Sequence, residues 1–403
     1  MNIEYVGASQ IILGALGRFW PVWLSLVIVM GASFHYRKRL GLYGDLYTSG
    51  VGIADVAICL FWTFTAIFSP VIAPFDPLTQ IPVMKDVLPG AIIPDGTAGA
   101  GGVYLFGGDK LARDVFSRMI AGSQIVLIIA PFATAFALMV GITLGLPAGY
   151  YGGRIDSILS FLANLVLAFP VILLFYLLVT PEIRQLSFDN WFSNLTGIGF
   201  SIPRTLAAIF FLFPIIFFSV LFYTRFKTRP ERLYPLLAAT ILIGGWVYLG
   251  LVFNADPLRV IAIEPSTLNI FVAVVFASSP GVFRIVRGLV MDIKTRDYVA
   301  ASQTRGETPW YIMLWEILPN ARGPLIVDAC LRIGYTTILL GTLGYFGLGL
   351  APESPDWGTA IKDASRLLRS AIHPALPPTF ALMSFVLGLN LLADALREQA
   401  LKD

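Results

Sequence analysis

The chain has 403 residues, of which 57% are hydrophobic and only 13% charged, against roughly 45–50% and 25% in an average soluble domain. That composition excludes a soluble globular protein and defines an integral membrane protein, while a small, spread net charge of +3 gives no basis for nucleic-acid binding. Cys59 and Cys330 lie inside apolar runs and imply no disulfide framework, and with only His35 and His373 most histidine-based metal or nucleophile chemistry is left out.

Crossing about 30 Å of hydrocarbon takes about 20 apolar residues. The first candidate span, Ile11 to Phe34, is interrupted by Arg18 and Pro21 and ends in His35-Tyr36-Arg37-Lys38-Arg39. It is too long for a signal-peptide core, and the basic run reads as a cytoplasmic stop. A second span runs from Gly52 to Ala73. From Pro74 to Gln124 the chain is rich in Gly and Pro, the mark of an ordered but irregular extramembrane loop. The third span, Ile125 to Ala148, leads into a glycine turn, Gly149 to Asp156, and the fourth, Ser157 to Thr180, contains Pro170, which should kink it. Pro181 to Arg204 is polar with aromatics. Thr205 to Thr224 and Tyr234 to Phe253 are apolar around a basic tip, Arg225 to Arg232, and so form a hairpin with a cytoplasmic tip. Thr267 to Phe283, Leu325 to Phe346 and Pro374 to Leu396 complete about nine spans.

Charge supports one orientation. With loops 35–50, 149–157, 225–233, 284–322 and 397–403 inside, the inner side holds 16 Lys and Arg in 80 residues and the outer side 11 in 134. The density is more than twofold higher inside, as membrane insertion favours, and the amino terminus then lies outside.

Asp297 to Pro324 is a polar, amphipathic island of helical character with Gly306 at its middle and Leu318-Pro319 near its end. It is too charged to span a bilayer and too apolar on one face (Tyr298, Ala301, Trp310, Met313) to float free. It is expected at the cytoplasmic surface, offering that face to a partner; the simpler alternative is a helix lying on the membrane. Asp328 and Arg332, four residues apart, share a helix face, either lining a translocation path or forming a structural pair. Among the outer charges, Arg113, Asp114 and Arg118 can cap and orient the helix that follows. No nucleotide-binding Gly-x-x-x-x-Gly-Lys-Ser/Thr loop, His-Glu-x-x-His, Cys-x-x-Cys or Gly-x-Ser-x-Gly motif occurs.

Several ordered motifs resemble a known family, the permease subunits of ATP-binding-cassette (ABC) importers of the dipeptide, oligopeptide and nickel type, in particular their C-type component. Asp297-Tyr298-Val299, the triplet Ala300-Ala301-Ser302, Gly306 and Leu318-Pro319-Asn320-Ala321 are similar to that family's EAA loop, with Ala300 in place of the usual acidic residue. Phe106 to Arg118 resembles its Leu-Gly-Thr-Asp-x-x-Gly-Arg-Asp-x-x-Ser-Arg segment, with Gly108 for threonine and Ala112 for glycine. Leu343 to Leu350, followed by Pro352, Pro355 and Trp357-Gly358, resembles a third motif. The resemblance covers residues 53–180 and 267–398.

It implies an all-α membrane protein with the type I importer fold: six core transmembrane helices, here with an extra N-terminal span and an inserted helical hairpin. The expected organisation is an extra span and basic loop over 1–51, the first core helix and outer loop over 52–124, core helices over 125–180, the inserted hairpin over 181–266, and core helices with the coupling loop 297–320 over 267–403. The implied partners are a second permease subunit, two ABC ATPases that hold ATP and magnesium, an extracytoplasmic binding protein, and membrane lipid; this chain itself binds no cofactor and is no enzyme. The implied ATPase-coupling residues are Tyr298, Ala300, Ala301, Ser302, Gly306, Trp310 and Pro319, and the implied contacts to the binding protein are Asp109, Arg113, Asp114 and Arg118. The expected site is the cell membrane and the leading cargo peptides, with oligosaccharides or nickel as alternatives. A secondary transporter using Asp328 as an ion site is the rival from another class.

Overall fold

The computed structural model describes residues 3–179, 202–253, 256, 265–348, 354–365, 367–368 and 371–400. The expected polar stretch 181–204 falls almost wholly outside the described residues, as do Leu350 and Pro352. In chain order the main helices are α1 (Ala8–Arg18), α2 (Trp20–His35), α3 (Gly50–Ile67), α4 (Val115–Tyr151), α5 (Gly153–Ala168), α6 (Val171–Val179), α7 (Ile202–Phe210), α8 (Leu212–Phe226), α9 (Pro230–Phe253), α10 (Pro265–Ile293), α11 (Asp297–Thr304), α12 (Arg322–Phe346), α13 (Trp357–Ser365) and α14 (Leu376–Ala400). Among the described residues seven helices are long and apolar enough to span a membrane, and nine spans result if each of two bent pairs counts as one.

Both bends have the same cause. The span expected over Ile11 to Phe34 is divided into α1 and α2, which meet at 51°. Pro21 has no N–H for the Gly17 carbonyl one turn back, and the Phe19 N–H takes that carbonyl instead. The Trp23 indole N–H then donates to the freed Leu16 carbonyl at 3.1 Å. At the second break α5 and α6 meet at 86°. Here Pro170 cannot serve the Val166 carbonyl, which accepts from the Phe169 N–H at 3.2 Å. The expected kink is thus a sharp corner.

The chain divides into two compact units, residues 1–131 with 330–403, and residues 132–329. In the first, the extramembrane loop carries a short antiparallel ladder, β1 (Ala91–Ile92) with β2 (Val103–Tyr104), pairing Ala91 with Tyr104 and Ile92 with Val103. A small core of Ile81, Met84, Val87, Ala91, Ile93 and Tyr104 lies beneath it. Residues 4–6 join its edge: Val6 N–H donates to the Gly90 carbonyl at 2.9 Å and Ile92 N–H to the Glu4 carbonyl at 2.8 Å. That pairing puts residues 4–6 on the same side as the 74–124 loop, in agreement with the charge asymmetry. Trp357 anchors the helical part of this unit. It is fully buried, its indole N–H donates to the Met119 carbonyl at 2.8 Å, and its ring lies edge-on to Trp62 at 5.2 Å.

The second unit is built around α10, whose apolar window is 61% buried, whereas the windows over Arg204–Phe226 and α9 are 17% and 11% buried. The hairpin helices therefore turn most of their surface outward, as lipid-facing helices do. Gly141, Gly145 and Gly149 recur once per turn along α4 and face Val282, Val286 and Val290 of α10. A Cβ at Gly145 would sit 2.8 Å from Val286 and one at Gly149 2.7 Å from Val290, so only glycine lets these helices approach this closely.

Candidate functional site

Sequence places a short helix between two apolar spans, and the second unit shows what holds it. In α11 two side chains face inward, Val299 and Ser302: Val299 is fully buried, packed with Leu146, Val282, Val286, Val290 and Ile293 and with Ile312, Met313 and Ile317 further along. The opposite face is bare. Asp297, Tyr298, Ala300, Ala301, Gln303 and Thr304 are all exposed.

The end of α11 explains Gly306. The Glu307 N–H donates to the Ser302 carbonyl at 3.3 Å and the Gly306 N–H to the Gln303 carbonyl at 2.9 Å, the two bonds of a Schellman stop. That stop needs a left-handed residue after the helix, and Gly306 has φ +80°. No atom crowds the position where a Cβ would stand, so the requirement is conformational rather than steric.

Beyond this turn Thr308 caps Pro309–Tyr311, a π-helical segment covers Ile312–Ile317, and a turn, Leu318–Asn320, precedes α12. The widening falls just before Pro319, whose ring crowds the carbonyl one turn back and whose nitrogen cannot donate. Neighbouring residues of the π-helix bond in two directions. Glu316 accepts from the Ser302 hydroxyl at 3.0 Å and from Arg305 Nη2 at 3.1 Å, tying the segment to α11. Trp315 donates its indole N–H to Thr224 Oγ1 at 3.1 Å, and the Arg225 guanidinium lies 4.7 Å from the Trp315 ring centroid, tying it to α8.

Other contacts fix the same end of the unit. The Lys294 ammonium donates to the Gly149 carbonyl at 2.7 Å and the Tyr150 carbonyl at 3.3 Å, supplying the cation that the C-terminus of a helix favours. Gln303 Nε2 donates to the Tyr150 hydroxyl at 3.2 Å, and Arg287 grips Asp156 with Nε and Nη2. The loops 149–157, 225–233 and 284–322, grouped by charge alone, are thus joined at one end of this unit.

The sequence-derived coupling residues fall into two groups. Tyr298, Ala300, Ala301, Gly306 and Pro319 are exposed, whereas Ser302 is 1% exposed and Trp310 is half-buried against the core. Met313, placed by periodicity on the outward face, is fully buried, because the Gly306 turn breaks the helical phase that the periodicity assumed. Asp328 and Arg332 are half-buried, one turn apart on α12.

The outer residues lie in the first unit, and all are buried: Asp109 3%, Arg113 1%, Asp114 1% and Arg118 2% exposed. Arg113 bridges Asp109 and Asp363 at 2.8 Å each. Arg118 reaches Asp109 at 2.7 Å, and Lys110 meets the other Asp363 oxygen at 2.8 Å. Burial alone would raise the Asp363 carboxyl, but hydrogen bonds from Lys110 and Arg113 hold it below its ordinary range. Asp114 accepts from the Ser117 N–H at 2.8 Å and the Ser117 hydroxyl at 2.6 Å, the geometry of an N-cap on α4. Burial pushes its carboxyl up to about 6, against the lowering effect of the Ser117 bonds. The contact to an external protein expected of these four residues is corrected by their burial: all four are at most 3% exposed, and their ion pairs and hydrogen bonds are made inside the unit. Ala112, at the family's glycine position, has φ +62°, which accounts for glycine being the usual residue there.

Reasoning on sequence missed Asp363, Glu316, Trp315 and Lys294 as organising residues, since each acts on a residue distant in sequence. The repeat Gly141, Gly145, Gly149 was a readable signal of close helix packing.

Fold and site together define a multi-helix membrane protein that presents a braced surface helix at one end. The chain belongs to the family described as binding-protein-dependent transport system inner membrane component, whose family model matches residues 187–400. It is similar to the dipeptide transport system permease protein DppC of Alkalihalophilus pseudofirmus, 27% identical over 73% of this chain and 70% of that one. It is also similar to the DppC protein of Haemophilus influenzae, 28% identical over 83% and 84%, and to the probable D,D-dipeptide transport system permease protein DdpC of Escherichia coli, 25% identical over 87% of each. The chain is thus a multi-pass permease subunit of an ABC importer in the cell membrane.

Proposed function

We propose that this chain, with a second permease subunit, forms the path by which peptides of the dipeptide and oligopeptide class enter the cell, driven by two ABC ATPases, one of which docks on α11. The observation that carries the reading is the construction of α11: an inward face of Val299 and Ser302, a glycine stop, and a bare outward face. An interfacial helix that merely rests on lipid has no need of the Ser302–Glu316–Arg305 ties, whereas a helix that must transmit force does. Tyr298, Ala300, Ala301 and Pro319 would meet the ATPase, with Ser302 and Trp310 supporting them from inside and Gly306 ending the helix. Ala300 offers no carboxylate, so contact there rests on apolar and backbone groups.

In this mechanism ATP and magnesium are held by the ATPase subunits, and an external binding protein delivers the peptide. Closure of the ATPases on ATP pushes α11, and through Val299 and Lys294 the push reaches α10 and the end of α4, rocking this subunit against its partner so that access to the path alternates between the two sides. Peptide as cargo follows the relatives, which are permeases for dipeptides. Purification of the tagged chain from its native membrane in mild detergent, with mass spectrometry of what accompanies it, tests the assembly. The expected result is a second permease, ATPase subunits and a binding protein that binds peptides; recovery of the chain alone, still transporting in liposomes without ATP, would contradict it.

A further inference from the structure

The π-helical segment Ile312–Ile317 is held from both sides by adjacent residues. Glu316 binds back to Ser302 and Arg305 at the end of α11, and Trp315 binds sideways to Thr224 and Arg225 at the cytoplasmic end of α8. The Thr224 hydroxyl is committed on both counts, donating within α8 toward the Val220 and Leu221 carbonyls at 2.9 and 3.0 Å and accepting from the indole. Around this bridge Phe217, Val220 and Leu221 of α8 pack on the cluster that holds Val299, Ile312, Met313 and Ile317. The window over Arg204–Phe226 is only 17% buried; Phe211 and Val252 hold the far end of the hairpin on Leu268 and Val272, and this bridge holds the Thr224 end.

We propose that Thr224, Arg225 and Trp315 are positioning residues for energy coupling: they clamp the α8–α9 hairpin to the π-helical segment, so that hairpin and coupling helix move as one body during the ATP cycle. This rests on the reading of α11 as the ATPase-docking helix. A π-helix is a strained, widened turn, and an unbraced one would absorb displacement between α11 and α12. The indole–hydroxyl bond fixes the rotamer of Trp315, and the guanidinium of the exposed Arg225 lies over its ring, a cation–π contact of the solvated kind.

Two measurements on the assembled transporter test this. In nanodiscs, with Cys59 and Cys330 replaced, spin labels at the exposed positions Gln303 and Lys227 should give one narrow distance that is unchanged by ATP with vanadate. Thr224→Val, Arg225→Ala and Trp315→Phe, each of which removes one contact and keeps the side-chain bulk of its neighbours, should each broaden it. In proteoliposomes with the binding protein and radiolabelled dialanine, uptake per ATP hydrolysed should fall about fivefold in each variant, the factor expected for one contact of this class. A label distance that shifts with ATP in the parent protein, or variants with the parental distance and parental uptake per ATP, would overturn the clamp. Absence of ATP-driven dialanine uptake by the parent protein, with the distances as expected, would instead overturn the peptide reading and leave the clamp standing.

Discussion

The Asp109–Arg113–Arg118–Asp363 cluster and the Ser302–Arg305–Glu316 triad are both networks of acids and arginines, but they differ in exposure. The Arg113 and Asp109 side chains are 1% and 5% exposed, while those of Arg305 and Glu316 are 57% and 25% exposed. The buried network is inward-looking: both of its arginines pair with carboxylates inside the unit, and it orders the unit around the start of α4. The exposed one ties down a helix whose outer face stays available. Charge in a loop is therefore no guide to a contact surface until burial is known, because a desolvated ion must be paired internally whereas a hydrated one has no such need.

The sharpest way to break this comparison is at Arg113. Arg113→Leu removes the buried cation that bridges Asp109 and Asp363, leaving Arg118 on the one and Lys110 on the other, a loss of about 3–5 kcal/mol for a broken buried pair. Little folded chain should then be recovered on size-exclusion chromatography in detergent. Next comes Asp114, whose carboxyl binds its proton more tightly when buried in the fold than in the unfolded chain. Its contribution is therefore fully favourable at low pH and is lost as pH rises from about 4 to about 6. Thermal unfolding of the parent protein should weaken across that window relative to Asp114→Asn, which keeps the cap but cannot ionise, with a difference on the order of 3 kcal/mol. At Gly306 a side chain in the left-handed region costs about 1 kcal/mol. Gly306→Ala should leave the chain in the membrane at parental levels while lowering ATP-dependent uptake, as followed in proteoliposomes. The smallest effect is expected at Arg305, where a largely hydrated ion pair is worth under about 0.5 kcal/mol; Arg305→Ala should leave the unfolding temperature within a degree or two.

What sequence could show followed from local rules. Hydropathy located the spans, Pro170 marked the corner in the fourth, lysine and arginine density grouped loops that meet at one end of the second unit, and Gly306 marked the end of the surface helix. The break at Pro21 was readable by the same proline rule as the break at Pro170. What remained hidden depends on residues far apart in sequence: Arg113 with Asp363, Trp315 with Thr224, Lys294 with Gly149. The outward-facing set on the coupling stretch was drawn with Met313 in it because a single helical period was carried across a glycine that ends the helix. Ser302, in the middle of a motif associated with a partner, proves to be internal, and only its hydrogen bond to Glu316 reveals that role.

The central claim is that the bare face of α11 meets an ATPase subunit. It is tested most directly by disulfide or short bifunctional cross-linking from single cysteines, Ala301→Cys on the exposed face and Val299→Cys on the buried one, in the assembled transporter with Cys59 and Cys330 replaced. The account expects an adduct with the ATPase from position 301, changing in yield with ATP, and none from position 299. An intact complex that gives no adduct at 301 under any nucleotide condition would contradict it.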